Sequence, residues 1–71
     1  MDTSIDRFAR NVAQARRQAG LTQEEVSARS GVHPTEVSRI ERGERDVRVS
    51  TVYRLAEALG TSPGSLLDGD S

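Results

Sequence analysis

Residues 21–43, with the sequence LTQEEVSARSGVHPTEVSRIERG, predict two short helices joined by a tight turn at Gly31. Thr22 and Glu25 have the spacing of a capping box, which marks the start of the first helix. Proline is tolerated in the first turn of a helix, so Pro34 marks the start of the second. Glycine adopts a positive φ without steric penalty, as a tight turn requires. Two short helices connected in this way are typical of a helix-turn-helix.

Amphipathic segments flank this unit on both sides. Residues 4–19 carry apolar side chains at helical spacing and end at Gly20. A later segment is capped by Ser50 and closed by Gly60, and residues 62–63 start a last short helical turn. No stretch alternates apolar and polar residues as a strand would. We therefore predict an all-α fold, a compact five-helix bundle that contains the helix-turn-helix.

Length and composition limit the class of protein. A chain of 71 residues, 34% of them hydrophobic, predicts a single domain over residues 1–71, with a core at about 4–67 and a frayed tail at 68–71. There is no cysteine and only one histidine, which excludes a disulfide and leaves too few ligands for zinc. No nucleophile has a base in an obvious relay. We therefore expect no enzyme activity, no metal site and no cofactor.

The net charge alone argues weakly against a nucleic-acid partner. Ten basic residues oppose eleven acidic ones, giving a formal charge of -1, whereas phosphate binding usually accompanies a basic excess. All ten basic residues are arginine, which fits either genomic base composition or a use for guanidinium groups that bind phosphate and guanine bidentately. Their positions favour a contact surface, because one arginine recurs every three residues at Arg39, Arg42, Arg45 and Arg48.

The second helix of the helix-turn-helix has two distinct faces. Its inward face carries Val37 and Ile40. Its outward face carries hydroxyl and guanidinium groups at helical spacing, namely Thr35, Ser38, Arg39 and Arg42. Any solvated surface helix can show such a polar stripe. A DNA-contacting function is favoured here because the stripe lies on the second helix of a helix-turn-helix. There, arginine can bond guanine and a threonine methyl can contact thymine in the major groove of DNA.

The stretch LTQEEVSARSGVHPTEVSRIERGERD, followed by STVYRLAEALGTSPGSLL, resembles the Cro/phage-repressor-type regulators, also called XRE-like. The resemblance covers residues 8–67 and rests on four motifs in register: Leu-Thr-Gln, the turn glycine, Ser-x-Ile-Glu-x-Gly and Leu-Ala-x-Ala-Leu-Gly. It implies a sequence-specific transcriptional regulator, a repressor or small controller protein, that binds double-stranded DNA with its third helix in the major groove. Because one helix-turn-helix makes few contacts, we expect a homodimer on a palindromic operator.

The resemblance assigns roles to individual residues. The positions that face base edges are Pro34, Thr35, Ser38 and Arg39. The positions near phosphates are Asn11, Gln23, Arg42, Arg45 and Arg48, and we expect His33 either to cap the third helix or to meet phosphate. Arg16 and Glu41 match a structural, partly buried salt bridge between the first and third helices. Candidates for the dimer interface are Tyr53, Leu66 and Leu67, although both leucines could instead lie in the core of the monomer.

An antitoxin or other protein-interaction module of the same fold is the alternative function, favoured by the acidic balance of the chain. In either case we expect no small-molecule effector domain, so control would come through protein concentration or a protein partner. No apolar run approaches the roughly 20 residues that a membrane span needs. We therefore expect a cytoplasmic, nucleoid-associated protein that has no membrane partner.

Overall fold

Five helices follow one another along residues 3–68, the part of the chain that the computed structural model describes. They are α1 (Ser4–Gln18), α2 (Gln23–Ser30), α3 (Pro34–Glu41), α4 (Val49–Leu59) and α5 (Pro63–Asp68). No strand is present in this range, so the predicted all-α five-helix bundle is confirmed. Asp68 ends α5, and residues 69–71 of the expected frayed tail lie outside the described residues.

Local capping explains where α2 and α3 begin. The Glu25 N–H donates to Thr22 Oγ1 at 3.0 Å, and the Thr22 N–H donates to Glu25 Oε1 at 2.8 Å, which completes the capping box. At α3, the Thr35 N–H donates to His33 Nδ1 at 3.2 Å, so His33 is the N-cap. Gly31 ends α2 with a φ of 77°, a left-handed conformation that glycine adopts without strain.

The start of α4 differs from the prediction that Ser50 caps this helix. The helix starts at Val49, and its N-cap is Arg48, which makes no side-chain capping hydrogen bond. The first helical hydrogen bond instead runs from the Val52 N–H to the Arg48 carbonyl at 3.1 Å. A sequence pattern predicts the start of a helix from a side chain that caps it. No side chain caps α4, so its first residue could not be predicted in this way.

The core lies where the helix-turn-helix pair meets the other three helices. α2 and α3 pack on each other, α1 packs on α3 and α5, and α4 packs on α2 and α5. Each helix supplies at least one fully buried apolar side chain, and the largest of these are Val12, Val26, Val37, Ile40, Leu55 and Leu66. Burying a side chain of this kind stabilises the fold by about 1.5–3 kcal/mol. The buried side of α3 is thereby fixed, and its opposite side faces outward.

Candidate nucleic-acid interface

The outer face of α3 is polar because its apolar side chains are used in the core. Val37 is 0% exposed and Ile40 is 1% exposed. The four predicted base-reading residues have positions on the other side of the helix: Pro34 and Thr35 are exposed, and Ser38 and Arg39 are half-buried. Residues at this spacing lie on one side of a helix, opposite the buried side chains of α3.

An ion pair joins α1 to α3. Arg16 Nε donates to Glu41 Oε2 at 2.7 Å, and Arg16 Nη2 donates to Glu41 Oε1 at 3.1 Å. The side chains are 16% and 7% exposed, respectively. The remaining Arg16 nitrogen, Nη1, donates to the Leu21 carbonyl at 3.0 Å. Hydrogen bonding to Glu41 raises the pKa of Arg16, against the opposing effect of burial.

Two predicted phosphate-contact residues also have structural hydrogen bonds. Gln23 Nε2 donates to Glu41 Oε1 at 3.1 Å, which joins the first residue of α2 to the same ion pair. Asn11 Nδ2 donates to the Leu66 carbonyl at 2.8 Å and ties α1 to α5, a contact that the sequence did not indicate. Each amide retains a second N–H, so neither contact excludes the predicted one.

The predicted phosphate-contact arginines fall into two groups. Arg42 donates from Nε and Nη2 to Glu44 at 2.9 and 3.3 Å and from Nη1 to Ser38 Oγ at 2.6 Å. Arg45 Nε lies 3.7 Å from Glu36 Oε1. By contrast, the side chain of Arg48 makes no hydrogen bond or ion pair with the described part of the chain, and the same is true of base-reading candidate Arg39.

The pair between Arg42 and Glu44 is exposed, with 55% and 52% of the two side chains accessible. Hydrogen bonding from Arg42 lowers the pKa of Glu44, and the charges of Arg42, Arg39 and Arg45 lower it further, while loss of hydration opposes them. Hydrogen bonding to Glu44 raises the pKa of Arg42. Sequence reasoning missed both acidic partners of the arginines. For Glu44 the available signal was the alternation of charge in ERGERD, residues 41–46, whereas Glu36 lies nine positions before Arg45 and outside that stretch.

A second surface is apolar. Among residues 3–68, the large exposed apolar side chains are Val49, Tyr53 and Leu67, at 73%, 62% and 49% exposure. They border one groove, the apolar groove, whose other apolar lining residues are Ile5, Phe8, Val47 and Val52. Leu66 and Leu67 were each predicted to lie either at a dimer interface or in the core of the monomer. Leu66 lies in the core at 1% exposure, and Leu67 lies at the surface. The dimer candidates that remain accessible are therefore Tyr53 and Leu67.

Other kinds of site have no support within residues 3–68. No group of three or more histidine, cysteine or acidic side chains there is arranged to hold a metal ion. None of the helices in that range has the length and apolar character needed to cross a membrane. The candidate functional surfaces within these residues are therefore the outer face of α3 and the apolar groove.

Comparison with known proteins shows which family and which chains this sequence resembles. A helix-turn-helix family model matches residues 12–66. The chain is 56% identical over 52 residues to the HTH-type transcriptional regulator y4dJ of Sinorhizobium fredii, a match that covers 73% of this chain and 68% of the relative. It is 44% identical over 60 residues to control protein C.SmaI of Serratia marcescens, covering 84% and 71% of the two chains.

Solved structures show the same arrangement of helices. The restriction-modification controller protein C.AhdI from Aeromonas hydrophila superposes with a TM-score of 0.84 at 32% identity, covering 87% of this chain and 94% of that one. The P22 c2 repressor, solved in complex with synthetic operator 9T, superposes with a TM-score of 0.81 at 27% identity, covering 89% and 96%.

Proposed function

The chain belongs to the helix-turn-helix family, and we propose that it is a sequence-specific transcriptional regulator that reads double-stranded DNA in the major groove with α3. The observation that carries this proposal is the outer face of α3, whose polar side chains are accessible while Val37 and Ile40 anchor the opposite face in the core. The relatives reported above are named as a transcriptional regulator and a control protein. One of the similar structures is of a repressor bound to an operator.

Base readout falls to Pro34, Thr35, Ser38 and Arg39 in this proposal. Arg39 has no competing hydrogen bond or ion pair among residues 3–68, so its guanidinium is available for a bidentate contact with guanine. The Thr35 methyl suits the methyl group of thymine, and the Ser38 hydroxyl can both donate and accept. Pro34 offers only apolar contact, because proline has no backbone N–H to donate.

Phosphate anchoring falls to residues that flank α3. Gln23 and His33 lie at the starts of α2 and α3, where backbone N–H groups favour an anion. The others proposed are Asn11, Arg42, Arg45 and Arg48. Since two of these arginines already contact carboxylates, we infer that affinity for DNA of arbitrary sequence is modest and that base contacts and dimerisation supply most of the discrimination.

A homodimer on a palindromic operator completes the proposed function. Exposed apolar side chains that cluster around one groove mark an interaction surface, and Val49, Tyr53 and Leu67 form such a cluster. A second copy of the chain is the partner that doubles the contacts with DNA. We infer a repressor or controller that works in the cytoplasm at the nucleoid.

Selection of binding sites from random duplex DNA, at a stated salt concentration, tests the proposal. We expect enrichment of one palindromic sequence with two half-sites about one helical turn apart. A variant in which Thr35, Ser38 and Arg39 are all alanine retains the core residues of α3 and should lose this enrichment. The proposal fails if the wild-type protein enriches no sequence, or if the triple variant enriches the same one.

A further inference from the structure

Glu44 is an acidic residue placed among the arginines of the proposed DNA surface. Its two carboxylate oxygens accept hydrogen bonds from Arg42 Nε and Nη2 at 2.9 and 3.3 Å. The Arg42 hydrogen bonds lower the pKa of this carboxyl, and the charges of Arg42, Arg39 and Arg45 lower it further. One carboxylate therefore lies within the electrostatic reach of three arginines.

The pair between Arg42 and Glu44 has little role in holding the fold together. More than half of each side chain is accessible, and exposed ion pairs contribute little to stability because solvent screens them. Glu44 lies in the loop between α3 and α4, outside the core. The pair instead positions a side chain on the proposed interface, since the same guanidinium also donates to Ser38 Oγ at 2.6 Å.

Binding to DNA of arbitrary sequence is almost entirely electrostatic, since it depends on arginines that replace the counterions of phosphates. In the free protein the negative charge of Glu44 offsets the positive charge of Arg42. The same carboxylate repels an approaching phosphate. An operator complex gains base contacts that need α3 in one register, and a restrained Arg42 loses less rotamer freedom on docking there. The carboxylate of Glu44 therefore weakens binding to DNA of arbitrary sequence, which occurs in many registers, more than it weakens binding to the operator, which occurs in one.

We propose that Glu44 is a specificity-determining residue, whose carboxylate restrains Arg42 against Ser38 and suppresses binding to DNA that lacks the operator. Specificity is a difference between two affinities and can be raised by a group that disfavours the wrong ligand. This inference rests on the proposed function, because it requires that the surface around α3 bind DNA.

The test compares Glu44→Gln with Glu57→Gln, which removes the same charge from an exposed position on α4. Affinity for the selected operator and for a scrambled duplex of equal length is measured by fluorescence anisotropy over a series of salt concentrations. For Glu44→Gln we expect about three- to fivefold tighter binding to the scrambled duplex and operator affinity within about twofold of wild type. The salt dependence of scrambled-duplex binding should steepen by about one unit of slope.

Two results would overturn the inference while the proposed function stands: Glu44→Gln behaves like Glu57→Gln, or it strengthens binding to both duplexes equally. A wild-type protein that does not prefer the operator overturns the proposed function and this inference together, so the two failures are distinguishable. Thermal unfolding of each variant shows whether it is folded, and we expect midpoints close to that of the wild type because both side chains are exposed.

Discussion

Arg16 on α1 and Glu41 on α3 bind each other through two parallel hydrogen bonds, at 2.7 and 3.1 Å. The same carboxylate accepts from Gln23 on α2, so the three helices meet at one group. Glu41 lies on the proposed recognition helix, yet its side chain is only 7% exposed. Its role is therefore to set the orientation of α3 relative to the rest of the bundle, which decides where Thr35, Ser38 and Arg39 point.

Replacing Arg16 by methionine should destabilise the protein by about 3 kcal/mol, because it leaves a carboxylate in a nearly buried position without its main partner. A domain of this size has a free energy of unfolding on the order of 5 kcal/mol, so the variant should keep less than half of its stability and unfold at a lower temperature. Urea unfolding followed by circular dichroism measures the loss. Arg17→Met makes the same chemical change at an exposed neighbour and should stay within about 0.5 kcal/mol of wild type. Equal losses in the two variants would contradict a structural role for the ion pair.

Arg39→Ala should weaken operator binding by about 1–3 kcal/mol and relax the preference at one base pair of each half-site. The reason is that a bidentate contact between guanidinium and guanine discriminates among bases, whereas a phosphate contact does not. Competition against operators that carry each base at every position measures the effect. A uniform loss across all these operators would move Arg39 from the base-reading group to the phosphate group.

Arg45→Ala should weaken binding to all sequences alike and reduce the slope of log affinity against log salt concentration by about one. The 3.7 Å separation of Arg45 Nε from Glu36 leaves this guanidinium less restrained than Arg42, so phosphate can compete for it. Salt titrations on operator and scrambled duplex DNA provide the measurement. If affinity changes on the operator alone, Arg45 reads sequence and the docking of the loop after α3 is different from that proposed.

Leu67→Glu should disrupt dimerisation without unfolding the monomer, because Leu67 is 49% exposed and borders the apolar groove. We expect the dimer dissociation constant to rise by at least about tenfold, as for the loss of one well-packed interface side chain. Sedimentation velocity over a concentration series gives this constant. Ala28→Glu introduces the same charge at an exposed position on α2 and serves as the control. A wild-type protein that sediments as a monomer at high micromolar concentration, with and without DNA, would exclude the proposed dimer.

The carboxyl of Glu44 should titrate below its ordinary pKa of 4.5, since hydrogen bonding from Arg42 stabilises the charged form. The folded protein then binds fewer protons at this site than the unfolded chain does. The contribution of the pair to stability is therefore present above about pH 4.5 and is lost as pH falls through the lower, folded-state pKa. Carbon-detected NMR of the side chain follows the titration. Arg42→Gln should move the midpoint up toward the ordinary value, and Arg54→Gln on α4 should leave it in place.

Much of the fold was predictable from the sequence because its signals are local. The capping box of Thr22 and Glu25 joins residues three apart, and Pro34 marks the start of α3 by its own chemistry. The division of α3 into an apolar and a polar face follows from helical spacing. These features persist in any arrangement of the helices, so the helix-turn-helix and its outer stripe could be located from the order of residues.

Tertiary structure decided which of two adjacent leucines is buried and which distant charged residues form an ion pair. Leu66 and Leu67 are identical neighbours, and the packing of α5 against α1 and α4 places the first in the core and the second at the surface. Arg45 and Glu36 are nine positions apart, and the path of the loop after α3 brings them together. Local hydrogen bonds and helical periodicity can be predicted from the sequence, because they involve residues that are close together in it. Burial and ion pairing between residues far apart in the sequence depend on the whole bundle, because each requires distant segments to share one volume of space.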